Sequence, residues 1–235
     1  MSEDLVESDG FNALCERLDR YIADRSLLRL ALVHRSYCAE HAGTHSNERL
    51  EFLGDSVLGF VVTDELYRSF PGLREGDLAR IRADVVSAVA LAPIARELGI
   101  GEALLLGRGE ENSGGREKPS LLADALEAVM GAVFLASGIE RVTTFVQGLT
   151  APTIAEVSKR SAYGDAKNRL QELVAKQQVE SVVYHVTEIG PDHQKRFVAE
   201  VTFAGFTGRG EGHSKKEAER RAALVVLEAL DHSGA

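Results

Sequence analysis

Cysteine is scarce in this sequence, and long apolar runs are missing. The two cysteines, Cys15 and Cys38, are too few for a disulfide framework and lack the spacing of metal-ligand pairs. We therefore expect a protein of the reducing cytoplasm. No uninterrupted apolar stretch approaches the roughly 18 residues of a membrane-spanning helix, and the first residues, MSEDLVESDG, are polar and acidic. We expect neither a signal segment nor a membrane segment.

An excess of positive charge is also missing. The 235 residues carry a net charge of −9, which by itself argues against a nucleic-acid partner. Residues 1–162 hold 17 Lys and Arg against 25 Asp and Glu, a balance of −8, whereas residues 163–235 hold 10 against 11, a balance of −1. The basic residues of the second part are clustered, and this clustering matters more than the sum. The length and the 44% hydrophobic content suit one full domain followed by a small one.

The first acidic segment is residues 47–58, NERLEFLGDSVL. At about 100° per residue, a helix places Glu51 about 60° and Asp55 about 20° from Glu48, so three carboxylates share one face. The opposite face carries an apolar stripe that anchors the helix in a core: Leu50, Leu53 and Val57. Phe52 departs from this pattern because it lies on the acidic face, where an aromatic ring needs a partner surface.

The second acidic segment is residues 119–138, PSLLADALEAVMGAVFLASG, which begins with proline and ends with glycine, as helices often do. Asp124 and Glu127 are spaced i, i+3 and project together. The opposite side is apolar: Leu122, Leu126, Val129 and Val133. Ala128 and Gly131 flank the acids with almost no side chain, which leaves room for a neighbouring helix or an ion.

The carboxylates of these two segments would repel one another strongly unless a cation lay among them. A set of oxygen ligands without Cys or His suits a hard cation such as Mg²⁺ or Mn²⁺ and argues against zinc. Any single acid on a helix face is usually only solvated. Two acidic helix faces, each with an apolar back, favour a metal site instead.

The segment NERLEFLGDSVL resembles the signature of the ribonuclease III endonucleases, and LADALEAVMGA resembles their second acidic helix. The resemblance extends over nearly the whole chain. It implies that four carboxylates hold the catalytic Mg²⁺, with Mn²⁺ able to substitute: Glu51, Asp55, Asp124 and Glu127. It further implies supporting acidic roles for Glu48 and Glu75, although an acid such as Glu75 near a helix start also suits the helix dipole. Finally, it implies a homodimer in which Phe52 inserts into the partner subunit.

No strand pattern occurs before residue 150, so we predict an all-helical first domain. Residues 11–38 are predicted to form two helices broken at 24–26, and residues 75–98 to form one helix. Residues 107–118, GRGEENSGGREK, are predicted to be a flexible loop whose basic side chains either reach phosphates or are only solvated. A lone histidine beside an apolar run is more often packed or hydrogen-bonded than catalytic, so we interpret His34 as structural.

Residues 151–164 are predicted to link a domain at 1–150 to a domain at 165–232. The second domain shows an amphipathic helix at 165–178, three alternating strands and a long helix at 214–230. This α-β-β-β-α order resembles the double-stranded-RNA-binding domain. The expected fold is therefore multidomain, with an all-α ribonuclease III endonuclease domain followed by a small α+β binding domain.

The segment GEGHSKKEAERRAA places polar and basic side chains beside the free N–H groups of a helix start, which makes a phosphate site: Ser214, Lys215 and Lys216. A lysine pair at a helix start is usually only solvated, and the surrounding pattern is what favours binding here. The resemblance implies two minor-groove contacts, one from Gln171 and Glu172 and one from His193. Related bacterial enzymes commonly carry a further polar residue where this chain has Ala175, so we expect either one contact fewer with somewhat weaker binding, or a contact moved to Gln177 or Gln178.

We therefore predict a Mg²⁺-dependent endoribonuclease that hydrolyses phosphodiesters in double-stranded RNA. The resemblance implies 5′-phosphate and 3′-hydroxyl ends and a role in rRNA and mRNA processing. One alternative is a protein that binds double-stranded RNA without cutting it, which should have lost part of the acidic set. Another is a helical metal-dependent phosphohydrolase acting on small molecules, which leaves the second domain without a purpose.

Overall fold

The structure is a computed structural model that describes residues 8–176, 182–191 and 195–233. Contacts between residues divide the chain into two compact units, Met1–Ala155 and Glu156–Ala235. We call them the N-terminal unit and the C-terminal unit and describe each separately.

The N-terminal unit is built from helices, as predicted. In chain order they are α1 Asp9–Leu18, α2 Arg25–Ala31, α3 Arg35–Glu40, α4 Glu48–Ser69, α5 Glu75–Val85, α6 Ala88–Glu97, α7 Ile100–Ala103, α8 Arg108–Asn112 and the first part of α9 Pro119–Lys176. In the described part of this unit the only strand-like pairing is a parallel bridge between Val33 and Leu105. The two acidic segments lie on α4 and α9.

Two of the predicted helices are divided because side chains cap additional helix starts. The predicted break at 24–26 is confirmed, since the Asp24 carboxylate accepts from the backbone N–H groups of Ser26 and Leu27 at the start of α2. A second break that we did not predict comes at His34, whose Nδ1 accepts from the Ser36 N–H at the start of α3. The prediction of one helix over 75–98 was wrong. Ser87 accepts from the Ala90 N–H and starts α6 after α5 has ended.

The prediction of a flexible loop at 107–118 was also wrong. This segment contains α8 and a 3₁₀ turn, Gly115–Glu117. The Arg116 guanidinium donates to the carbonyl oxygens of Gly101 and Leu104 at 2.8 and 2.9 Å and to both oxygens of Glu111 at 2.7 Å. Arg116 therefore has a structural role in this segment.

The apolar side predicted for the second acidic segment is confirmed. Four side chains of α9 are fully buried: Leu122, Leu126, Val129 and Val133. Residues Pro119–Ser158 include an 18-residue window with a mean hydropathy of 1.6, long and apolar enough for a membrane span, and 56% of that window is buried inside the protein. A core helix of a globular protein meets the same criterion, and burial accounts for the apolar composition here.

Gly138 interrupts α9 with φ 78° and ψ −178°, so the helix break predicted there is confirmed. Helical backbone resumes after it and continues to Lys176. The predicted linker, 151–164, is therefore helical in its backbone, and the boundary between the two units falls inside it, after Ala155. The division of the chain at 150 and 165 stays a prediction.

The C-terminal unit has the predicted α-β-β-β-α order. Its elements are the last part of α9, β1 Tyr184–Ile189, β2 Arg196–Phe203, β3 Phe206–Gly212 and α10 Lys215–Ser233. The strands form an antiparallel sheet in the order β1-β2-β3, with Val186 opposite Ala199 and Ala199 opposite Gly210. Helix α10 lies close against β3, since a Cβ on Gly208 or Gly210 would overlap backbone atoms of α10.

One core joins the helices of this unit to its sheet. It consists of Ala166, Leu170, Val174, Ala199, Val201, Phe203, Ala218, Ala222, Ala223, Val226, Leu227 and Leu230.

Candidate active site

Two glycines bring the acidic helices into backbone contact. A Cβ on Gly54 of α4 would overlap the carbonyl oxygen of Glu127 on α9, and a Cβ on Gly131 would overlap the carbonyl oxygen of Leu50. The space that small residues leave beside Asp124 and Glu127 is therefore filled by helix α4. Because Gly54 lies between Glu51 and Asp55, this crossing carries the acids of α4 towards those of α9.

Three carboxylates meet at the crossing. Oxygen atoms of Glu51, Asp124 and Glu127 all lie within 4.8 Å of one another, and all three side chains are partly buried. Asp55 is exposed and lies outside this close group, but its negative charge still acts on Glu127. Of the four predicted ligands, the structure thus brings three together and places the fourth nearby.

The electrostatics of the site indicate an excess of negative charge. Burial, followed by the charges of Asp55, Asp124 and Glu51 in that order, raises the pKa of Glu127 to about 7. Burial, followed by the charge of Asp124, also raises the pKa of Glu51. The pKa of Asp124 is raised by burial as well, against the opposing effects of His34 and Arg35. Carboxyls with raised pKa values are favourable positions for a cation.

A cavity of about 340 Å³ opens beside this group. It is lined by His34, Arg35, Asn47, Glu48, Glu51, Leu104, Ser120, Leu121 and Asp124. The predicted supporting acid Glu48 therefore lies at the same site. Arg35 was missed by the sequence analysis, since a single arginine at the start of a short helix gives no signal.

Asn47 immediately precedes α4, but its side chain makes no capping bond. Its Nδ2 instead donates to the carbonyl oxygen of Ala31 at 3.0 Å, and its backbone N–H donates to that of Val33 at 2.8 Å. The neighbouring Ser46 hydroxyl donates to Glu48 at 2.6 Å. These bonds hold the start of α4 against the segment that leads into α3.

The donor set fits a hard divalent cation. The group contains only carboxylate oxygens, carried by two helices whose opposite faces are buried. Such ligands suit Mg²⁺ or Mn²⁺ better than a metal that prefers nitrogen or sulfur. Glu51, Asp124 and Glu127 are placed to be ligands, with Asp55 and Glu48 close enough to add charge. Three converging carboxylates with raised pKa values would be stabilised by such an ion.

Glu75 lies away from this group. It is exposed in the first turn of α5 and lines a second cavity, of about 440 Å³, together with Leu66, Tyr67 and Arg82. Phe52 is 77% exposed on α4, which agrees with its predicted position off the apolar stripe.

The predicted RNA-binding residues lie on two elements of the C-terminal unit. Gln171 and Glu172 are exposed on the last part of α9. Ser214 accepts from the Glu217 N–H at 3.2 Å, so its hydroxyl caps α10. His193 lies outside the described residues.

The two lysines at the start of α10, Lys215 and Lys216, differ in their contacts. Lys215 Nζ lies 3.1 Å from Glu188 Oε1, and Lys195 Nζ lies 3.6 Å from Glu188 Oε2. Lys216 is exposed and makes no ion pair with any residue that the structure describes. Glu188 therefore neutralises part of the positive charge at the start of α10, and Lys216 retains its full charge.

Two family models match the chain in consecutive segments. One, described as Ribonuclease-III-like, matches residues 24–154, and the other, described as a double-stranded RNA binding motif, matches residues 166–230. The first contains the acidic site, and the second contains the sheet and the helices packed on it.

Similar proteins cover nearly the whole chain. Ribonuclease 3 of Leifsonia xyli subsp. xyli is 52% identical over 225 residues, which are 95% of this chain and 94% of that protein. Ribonuclease 3 of Thermobifida fusca is 57% identical over 205 residues, 87% of this chain and 85% of its own length. Among solved structures, a nuclease domain of ribonuclease III from Campylobacter jejuni has a TM-score of 0.57 and 41% identity, covering 61% of this chain and 97% of that one. The chain therefore belongs to the ribonuclease III family of double-stranded-RNA endoribonucleases.

Proposed function

We propose that the protein is a Mg²⁺-dependent hydrolase of phosphodiester bonds in double-stranded RNA, with Mn²⁺ able to substitute. The products carry 5′-phosphate and 3′-hydroxyl ends, and the enzyme processes rRNA and mRNA precursors in the cytoplasm. The metal dependence is supported by the carboxylate oxygens of Glu51, Asp124 and Glu127, which lie within 4.8 Å of one another. The two helices that carry them are in close backbone contact at glycine residues.

In this proposal the carboxylates of the crossing hold the cation. When bound, Mg²⁺ supplies a Lewis acid that activates water and offsets negative charge at the phosphodiester. Glu51, Asp124 and Glu127 would provide the close oxygen ligands. Asp55 and Glu48 would add negative charge next to them. Since α4 and α9 pack through backbone, the ligand positions do not depend on flexible loops.

We further propose that the enzyme acts as a homodimer joined through α4. Three large aromatic side chains on one side of this helix are exposed: Phe52 by 77%, Phe60 by 60% and Tyr67 by 73%. In a two-fold symmetric pairing the same surface serves both subunits. An antiparallel approach of two α4 helices places Phe60 near the symmetry axis, because it lies about midway between the other two.

The same pairing brings Phe52 of one subunit towards the 440 Å³ cavity of the other, at the far end of α4. That cavity includes Leu66, Tyr67 and Leu73 and is open to an aromatic ring. Glu75 lines it too, so Glu75 would lie beside the partner's Phe52 side chain. A Campylobacter jejuni ribonuclease III nuclease domain is described as having a region involved in dimer formation, which supports this reading.

The C-terminal unit is proposed to hold the duplex. Lys215 and Lys216 would contact phosphates, and Gln171, Glu172 and His193 would reach the minor groove. Residues 163–235 carry a net charge of only −1, so clustered lysines suffice to make a local positive surface.

The test compares a labelled RNA duplex with the same strand alone, with Mg²⁺ and with EDTA. We expect cleavage of the duplex only, and only with Mg²⁺. An RNA ligase that requires a 5′-phosphate should then join the products without prior phosphorylation. Binding of the duplex without cleavage at any Mg²⁺ concentration would favour the non-cleaving alternative.

A further inference from the structure

One arginine lies in the wall of the acidic cavity. Arg35 is the first residue of α3 and lines the cavity together with Glu48, Glu51 and Asp124. Its charge reaches the acids, because it opposes the rise in the pKa of Glu51 and of Asp124. Arg35 is therefore part of the electrostatic environment of the carboxylates although it comes from a different element.

The backbone on either side of Arg35 is firmly held. The N–H of His34 donates to the carbonyl oxygen of Leu105 at 3.1 Å. The Ser36 hydroxyl lies 2.8 Å from His34 Nδ1 and accepts from the Gly107 N–H at 2.9 Å. Arg35 thus lines the cavity from a backbone that is held on both sides, so little conformational entropy beyond that of its own rotamers is lost when it binds a ligand there.

The guanidinium itself is not committed to any partner. Other arginines of the N-terminal unit pair with carboxylates, as Arg68 does with Asp64 and Arg96 with Glu117. Arg35 is exposed and makes no ion pair or hydrogen bond with a residue that the structure describes, although acids lie across the cavity. The space between this guanidinium and the carboxylates is therefore available to a ligand.

The chemical class of that ligand follows from the excess of negative over positive charge at the site. Glu48, Glu51 and Asp124 line the cavity, and Glu127 and Asp55 lie next to it. One divalent cation cannot neutralise these carboxylates, and an RNA phosphodiester adds a further negative charge. A phosphate approaching this site needs a second positive group, and a planar guanidinium donates two parallel bonds to phosphate oxygens.

We propose that Arg35 donates to a non-bridging oxygen of the phosphodiester that is cut, on the side opposite the carboxylates. This inference rests on the proposed function, since it assumes that the cavity accepts the RNA backbone. The bond strengthens as negative charge increases on the phosphoryl oxygens in the transition state. Arg35 is then a catalytic residue that touches the substrate, and its loss slows the chemical step.

A different role for Arg35 would be to counter the charge of the acids in the metal-free protein. The two roles predict opposite effects of metal concentration. As a counter-charge, Arg35 competes with the cation, so its removal would tighten metal binding and leave cleavage intact at saturating Mg²⁺. As a phosphate-binding residue, its removal slows cleavage at every Mg²⁺ concentration.

The experiment uses the full chain with Arg35→Ala and Arg35→Lys. Single-turnover cleavage of a duplex RNA is measured across a Mg²⁺ titration, and Mn²⁺ affinity is measured without RNA by electron paramagnetic resonance. Arg49→Ala is the matched control, because Arg49 is an exposed arginine at the start of α4 that does not line the cavity. Thermal midpoints show that the variants are folded.

We expect Arg35→Ala to cut about 100-fold more slowly at saturating Mg²⁺, with Mn²⁺ affinity unchanged or tighter. Arg35→Lys should recover part of the rate, since it restores the charge but not the paired donors. Full recovery of the Arg35→Ala rate at high Mg²⁺, or a loss of Mn²⁺ affinity in proportion to the rate, would overturn the proposal. Failure of the wild type to cut duplex RNA would instead overturn the proposed function itself.

Discussion

Gly54 on α4 and Glu127 on α9 are so close that a Cβ on the glycine would overlap the carbonyl oxygen of the glutamate. A close backbone contact between the two helices is therefore also the point from which a predicted metal ligand extends. Any side chain at position 54 must push the helices apart and shift Glu127 relative to Glu51.

Gly54→Ala is expected to lower the free energy of unfolding by about 1–3 kcal/mol, because an overpacked backbone contact cannot be relieved by a rotamer change. Chemical denaturation measures this loss. The matched control is Gly148→Ala on α9, where a Cβ meets nothing within 4 Å and helix propensity alone should stabilise by about 0.5–1 kcal/mol. Equal stability of the two variants would show that the crossing is looser than described.

Glu127→Gln should separate binding from chemistry. The amide keeps the shape of the side chain but removes a charge that the cation requires, so cleavage at limiting Mg²⁺ should collapse. Duplex binding and dimer formation should persist. Without metal, the thermal midpoint at pH 8 should hold or rise, since repulsion from Asp55, Asp124 and Glu51 is relieved. Wild-type rates across a Mg²⁺ titration would exclude Glu127 as a ligand.

The raised pKa of Glu127 predicts a dependence on pH. Its folded-state value of about 7 lies above the ordinary 4.5, so the folded protein binds this proton more tightly than the unfolded chain does. Without metal, the free energy of unfolding should therefore be highest at acidic pH and fall as pH rises through about 7. Mg²⁺ affinity should change in the opposite direction and weaken below that pH. Calorimetric Mg²⁺ titrations at pH 6 and 8 measure this change in affinity. The difference in Mg²⁺ affinity between the two pH values should be smaller in Glu127→Gln.

Phe52→Ala should weaken the proposed dimer. Burial of such a ring contributes about 2 kcal/mol for each copy, and a symmetric interface buries two. Sedimentation at several protein concentrations reads out the association. Val89→Ala is the control, because Val89 is 83% exposed on α6 and lies outside the proposed α4 surface. A wild-type protein that is monomeric at micromolar concentration would contradict the α4 pairing.

Replacing Lys215 and Lys216 together by alanine should lower the affinity for duplex RNA. It should also flatten the dependence of log affinity on log salt by about one to two units. A change of about one unit in the slope is expected. Lys215 is already paired with Glu188, so its contact with a phosphate contributes less to the salt dependence. Filter binding at several salt concentrations tests this. An unchanged slope would mean that both lysines remain solvated in the complex.

The positions of the acids could be predicted from the sequence because helical periodicity alone determines which side chains share a face. The same reasoning identified Phe52 as exposed and Leu122 and Val133 as buried. It also showed that Gly131 would admit a close neighbour, although not that this neighbour is α4 at Gly54. Contacts between helices depend on the packing of the whole unit.

Several features that sequence reasoning missed depend on hydrogen bonds between distant segments. The side chain of Asn47, immediately before α4, bonds to the carbonyl oxygen of Ala31, 16 residues earlier. Arg35 reaches the acids only because the segment before it is tied to Leu105. Residues 107–118 have the composition of a loop, and their order comes from the bonds of Arg116 to the backbone of the preceding residues. None of these partners can be read from periodicity or composition.

The anchoring of that segment has a consequence for how RNA meets the enzyme. Glu110 of α8 acts electrostatically on His34, which lines the cavity, so α8 lies near the acidic site. The hydrogen bonds of Arg116 to the backbone and the ion pair of Lys118 with Glu110 hold α8 and the turn after it in place. The conformational entropy of the segment is lost during folding and not during association. In the proposed function, the RNA backbone would therefore meet a segment that is already ordered, which favours selection of the duplex by its shape.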